Sequence, residues 1–160
     1  MDERIAKANM GRLQRSARGL ESAMTQLASL FPLEPDRFSP EQMEPRDSLL
    51  LDGFPARFSD LQDLLGRTMF KTIARLDEDE MPDLEMTTRE RITLMEKRGL
   101  LDSEKWQDIR EVRNNFAHEY PDEDAEKAAN LNATWKYAPV LLSVARVVED
   151  YLRTKHSIIV

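Results

Sequence analysis

The sequence predicts an all-α protein, and three observations carry that prediction. Glycine is sparse, at five residues in 160. Apolar residues recur three to four positions apart in nearly every segment, which is the period of one helix face. No stretch alternates apolar and polar residues as a half-buried strand would. The architecture expected is a single domain over residues 1–160, an antiparallel bundle of four long helices and one short one.

The first helix is expected from about Asp2 to Leu30. Leu13, Ala17, Leu20, Met24, Leu27 and Phe31 fall on one face at about 100° per residue, and Arg4, Lys7, Arg15 and Arg18 on another. Four prolines, Pro32, Pro35, Pro40 and Pro45, then mark residues 32–45 as an irregular connection that Phe38 packs onto the domain. A second helix follows from about Asp47 to Leu76, with Leu50, Phe54, Phe58, Leu61, Leu65, Met69 and Ile73 as its core positions. Pro55 bends it or marks its true start.

Residues 77–86 form an acidic loop. "TTRERITLMEKRGL" opens with a Thr-x-x-Glu capping box at Thr87 and Glu90 and closes at Gly99, giving a short helix. The next helix starts at Asp102 or Ser103 and turns Trp106, Ile109, Val112 or Arg113, and Phe116 or Ala117 inward. Pro121 ends it by disfavouring α geometry at Tyr120. Asp122, Glu123 and Asp124 suit the start of a last helix that reaches about Thr154, with Pro139 as a kink. In the tail, residues 155–160, Ile158, Ile159 and Val160 either pack on the bundle, lie at a dimer seam or are disordered, and His156 has no assigned role.

Composition limits the chemistry. Cysteine is absent, which excludes thiol catalysis, disulfides and cysteine-ligated zinc. The first sixteen residues carry charges throughout, without the apolar run of a signal peptide, and no stretch approaches the roughly 18 apolar residues of a membrane span. A cytoplasmic protein that does not engage membranes is expected. The net charge of −7 argues at first against a nucleic-acid partner. Eleven acids, however, are concentrated in "DEDEMPDLE" and "EYPDEDAE", stretches without Lys or Arg, and the rest of the chain holds 19 acids against 23 bases. Such clusters are expected in solvated loops or first helical turns.

The chemistry-bearing stretch is "RNNFAHEY", residues 113 to 120. Arg113 can grip a phosphate bidentately, and His118 has a reference pKa near 6.5, suited to proton transfer. Together they suffice for metal-free cleavage of RNA, where a base assists attack by the 2′-hydroxyl and cations stabilise the developing charge. Residues five apart differ by about 140° on an ideal helix, so convergence needs a helix-end distortion or, preferably, a two-fold dimer that pairs both motifs across one cleft. The same residues also suit a plain helix-terminal ion pair with Glu119 or Asp122. The basic stripe of Arg4, Lys7, Arg15 and Arg18, with Arg110, could track an RNA backbone, and it is equally the composition of a solvated face. Trp106, Trp135 and Tyr137 sit at packing positions. No metal-ligand spacing and no glycine-rich phosphate loop occurs, so no cofactor is expected.

Arg-x4-His with Asn114 after the arginine, followed by His-x-Tyr at Tyr120, resembles the HEPN domain, and within it the HepT-like toxins encoded beside MntA-type nucleotidyltransferase antitoxins. "GFPARFSDLQDLLGRTMF", residues 53 to 70, looks like that family's second helix. The resemblance implies a dimeric helical bundle with a composite ribonuclease site acting on tRNA or mRNA. Arg113 would bind phosphate, His118 would be the acid/base and Asn114 would orient one of them. Tyr120 would match the tyrosine that such an antitoxin modifies with AMP. The proline-rich connection and the acidic loop are longer than a minimal bundle of this kind needs. The alternative expectation is a non-catalytic nucleotide-binding partner of a nucleotidyltransferase.

Overall fold

The structure, a computed structural model, describes residues 1–116 and 123–160. Six α-helices form among them: α1 (Glu3–Leu27), α2 (Pro45–Asp63), α3 (Phe70–Leu76), α4 (Thr88–Lys97), α5 (Ser103–Asn115) and α6 (Asp124–His156). A π-helical turn, Leu64–Met69, joins α2 to α3, so residues 45–76 make one continuous rod. None of the helices is long and apolar enough to cross a membrane. Among the described residues every regular element is helical, as the periodicity predicts.

Local chemistry sets the ends. The Asp2 side chain accepts from the Arg4 N–H and caps α1. Thr87 and Glu90 form the reciprocal capping box of α4, and Gly99 follows in the left-handed region at φ 73°. Asp102 caps α5 through the N–H groups of Glu104 and Lys105. Pro55 lies inside α2 and Pro139 inside α6, and both helices continue through them. The rod begins at Pro45, where a proline's missing N–H costs nothing.

Long-range bonds fix the helix directions. Asn9 donates to Thr72 near one end of α1, and Arg46 donates to Gln26 near the other, so α1 runs antiparallel to the rod. Gln14 reaches Glu149 and Arg146 reaches Glu21, so α6 is antiparallel to α1. α5 packs between the rod and α6, and α4 covers α3 and the π turn. Phe54, Phe58, Leu61, Leu65, Met69 and Ile73 are fully buried, as expected, while Leu50 is half-buried. Met10, Leu13, Leu20 and Leu27 of α1 and Leu141, Val148 and Leu152 of α6 complete the core.

The connection between α1 and α2 is tied down rather than loose. The Asn132 amide accepts from Leu33 N–H and donates to Leu33 C=O, both at 2.8 Å, in the manner of a strand partner. Phe31 stacks on Trp135 with centroids 4.4 Å apart, and Phe54 meets both rings edge-on. Ile158 in the tail is buried, whereas Ile159 and Val160 are exposed.

The acidic loop meets expectation in part: Glu78, Asp79, Asp83 and Glu85 are exposed, but the Asp77 and Glu80 side chains turn inward onto cations. The Asp77 carboxylate is shielded from water and accepts from Tyr151 Oη at 2.6 Å, with His156 Nε2 at 2.6 Å and Lys155 Nζ at 3.3 Å. His156, without a role at the sequence level, thus helps fasten α6 to the loop. Asp79 pairs with Arg98, and Glu85 with Lys71. Glu80 is buried against Arg91, with Nη2–Oε1 at 2.6 Å, and also accepts from the Met86 N–H.

Burial raises the Glu80 carboxyl, but the Arg91 guanidinium and the Met86 N–H more than offset it and hold the group below its ordinary 4.5. The ionised form therefore adds stability at pH above about 4.5, and that stability is lost as the pH falls through the lower folded value. Glu80→Gln is expected to flatten the acid limb of a Tm-against-pH curve; an unchanged limb would remove Glu80 from the account. Arg91→Ala strands the buried carboxylate and is expected to cost about 3–5 kcal/mol in urea denaturation.

Candidate functional site

Three elements bring charged side chains to one side of the bundle. Trp106 packs on Phe70, ring centroids 5.0 Å apart, and lies over Gly66, where an added Cβ would stand 3.4 Å from its ring. That contact seats α5 on the π turn. Arg110 and Arg113 follow Trp106 by four and seven residues, so they share its helix face and meet the rod one turn earlier in its sequence.

There Arg113 meets Asp63. Nε lies 3.2 Å from Oδ1 and Nη2 3.1 Å from Oδ2, a bidentate pair with both side chains about one-third exposed. The hydrogen bond and charge of Asp63 raise the Arg113 pKa further, so the guanidinium stays cationic. Asp63 uses only Nε and one Nη2 proton. Nη1 and the second Nη2 proton have no acceptor among the described residues. The helix-terminal ion pair with Glu119 or Asp122, offered by the sequence, lies outside the described residues; the partner seen for Arg113 comes from fifty positions upstream.

Two cavities flank this pair. The smaller, of about 270 Å³, is lined by Asp63, Arg67, Thr88, Arg110, Arg113 and Asn114, among others. The larger, of about 610 Å³, lies between α1 and the rod and is lined by Arg12, Arg15, Ser16, Arg57, Asp60, Asp63, Arg67 and Thr68, with Leu64. Asp63 and Arg67 belong to both walls. A glycine makes room for one of these cations, since a Cβ on Gly19 would stand 2.6 Å from Arg57 Nη1.

The structure thus gathers Arg113, Asn114, Arg110 and Arg15 of the predicted site residues at one connected surface. Arg4 and Lys7 are instead paired with Asp2 and Glu3, and Arg18 is exposed outside both cavities. The expected placements of His118, Tyr120 and the Pro121 stop lie outside the described residues. Trp106 is buried and Trp135 stacks on Phe31, so both pack as expected. Among the described residues no group of three His, Asp or Glu side chains is placed to hold a metal ion.

Asp63, Arg12, Arg57 and Arg67 are not legible as site residues along the chain. The π turn left one signal. Leu61, Leu65, Met69 and Ile73 are spaced by four throughout, which drifts about 40° per step on an α-helix, and a wider turn corrects the drift. Asp63 had no local signal at all.

Asp63→Ala is expected to cost under about 1 kcal/mol, because the pair is partly solvated. A larger loss in denaturant titration would mean that the pair anchors α5. Gly19→Ala is expected to raise stability by about 0.5–1 kcal/mol through helix propensity while pushing Arg57 aside. No protein-family model, curated protein or solved structure matches the chain.

Proposed function

We propose that this protein is a metal-independent endoribonuclease of the HEPN kind, acting as the toxin of a toxin–antitoxin pair and working as a two-fold dimer on tRNA or mRNA. The observation that carries the reading is the posture of Arg113. Asp63 holds it at the end of α5 through two of its five N–H donors, on a cavity shared with Arg67, Arg110 and Asn114. A pinned, permanently charged fork of this kind suits a phosphodiester oxygen whose charge grows during reaction.

In the reaction, a base takes the proton of the ribose 2′-hydroxyl and the oxygen attacks the adjacent phosphorus. The bond to the 5′-oxygen breaks, that oxygen receives a proton, and a 2′,3′-cyclic phosphate remains. Arg113 stabilises the phosphorane charge. By resemblance His118 is the acid/base and Asn114 its orienting neighbour, with the partner protomer completing the cleft. A nucleotidyltransferase antitoxin would silence the site by transferring AMP from ATP to the Tyr120 hydroxyl, with pyrophosphate leaving, and so place a bulky anion two residues after His118.

Incubation of the purified protein with total tRNA and mRNA in EDTA is expected to give fragments ending in cyclic phosphate. His118→Ala and Arg113→Ala should each slow cutting by about 10²-fold or more. Cutting by His118→Ala at the wild-type rate would sink the assignment. A second reading, a nucleotide-binding partner of a nucleotidyltransferase without nuclease activity, is favoured by the same Arg113–Asp63 pair, which holds a phosphate without requiring turnover. Tight ATP binding with no RNA cut by a dimer free of AMP would select it.

A further inference from the structure

Most arginines of this chain are spoken for. Arg4, Arg37, Arg75, Arg91, Arg98, Arg113, Arg146 and Arg153 have carboxylate partners, and Arg46 donates to Gln26. Of those without an ion pair or side-chain hydrogen bond among the described residues, Arg12, Arg15, Arg57, Arg67 and Arg110 line the two adjoining cavities. Only Arg18 and Arg89 lie elsewhere. Unpaired guanidiniums on three separate elements repel one another, so their convergence on one surface favours an anion there.

The shape favours a polymer over a single small anion. The two cavities share Asp63 and Arg67, and their cations extend from Arg12 on α1, across Arg57 and Arg67 on the rod, to Arg110 on α5. Asp63 is neutralised by Arg113, and among the described residues of the linings Asp60 is the one unpaired acid. The linings offer hydroxyls, Ser16 and Thr68, and no exposed aromatic ring on which a base would stack. Such a lining reads backbone rather than sequence.

We infer that the Arg12–Arg15–Arg57–Arg67 cavity is a track for the sugar–phosphate backbone of single-stranded RNA, delivering it to Arg113. The inference rests on the nuclease reading for the direction of travel, and on the arginines alone for the binding. Each contact neutralises a phosphate and releases counterions, so affinity must fall with salt by about 0.7 in log–log slope per phosphate.

The test is fluorescence anisotropy with a labelled 2′-O-methyl single-stranded oligonucleotide, which lacks the attacking hydroxyl and cannot be cut, over a sodium chloride series. The double variant Arg12→Ala with Arg57→Ala is expected to bind at least 10-fold more weakly at low salt, with a slope shallower by about 1.4. Gly19→Ala, which displaces Arg57 without losing helix, should weaken binding in the same direction. Arg37→Ala, away from the cavity, should bind as wild type does. Equal affinity and slope for wild type and double variant, both folded by circular dichroism, would overturn the track, as would a wild type that binds ATP there but no oligonucleotide. The two readings separate cleanly. Arginine-dependent binding by a wild type that cuts no RNA keeps the track and removes the nuclease; RNA cutting undiminished in the double variant does the reverse.

Discussion

The seating of Trp106 on Gly66 and Phe70 is the contact from which the candidate site follows. The indole rests on Phe70 and over position 66, where a Cβ would stand at an ordinary 3.4 Å from its ring, and this packing fixes both the height and the rotation of α5. Once Trp106 is placed, Arg113 is two turns away on the same face, and the antiparallel course of α5 brings it to Asp63, one turn before Gly66. The ion pair is therefore a result of core packing, and its modest intrinsic strength matters less than its position. Arg110 and Arg67 are carried to the same place by the same contact.

Charge in this molecule is arranged by burial as much as by composition. A net charge of −7 suggests a surface hostile to polyanions. Yet Asp77, Asp79, Glu80 and Glu85 are spent on Arg98, Arg91, Lys71, Lys155 and His156 at the far end of the rod, where they hold the loop to α4 and α6. Asp77 shows the balance: burial pushes its carboxyl up, and the bonds from Tyr151, His156 and Lys155 bring it below the ordinary range. Carboxylates committed in this way screen neighbouring cations and leave the arginines of α1 and α2 to set the field on their own side.

The elements whose physics is local were legible in the sequence. The Thr87–Glu90 capping box, the Asp102 cap and the Gly99 turn depend on a few consecutive residues, and each stands where the chain predicts. The core of the rod followed from period alone. What escaped was everything that depends on which helix lies beside which. Arg15 was legible as part of a stripe on one helix, but its cavity neighbours Arg57 and Arg67 belong to another, about forty and fifty positions on. The Asp63 partner of Arg113 and the Asp77 partner of His156 are likewise products of packing, at separations no periodicity reaches.

The π turn at Leu64–Met69 has a consequence for how this rod could change over generations. It takes up about one residue, some 100° of α-helical rotation, between two α-helical halves. Loss of a single codon there would give a regular α-helix that still holds Phe70 and Ile73 in phase with Phe54 and Phe58, whereas the same residues wound entirely as an α-helix would swing them about 100° away from the core. A one-residue deletion in this stretch is thus the length change that the fit of α4 and α5 tolerates best, and at the present length the wide turn is kept in place by the contacts that an α-helix through the same residues would misalign.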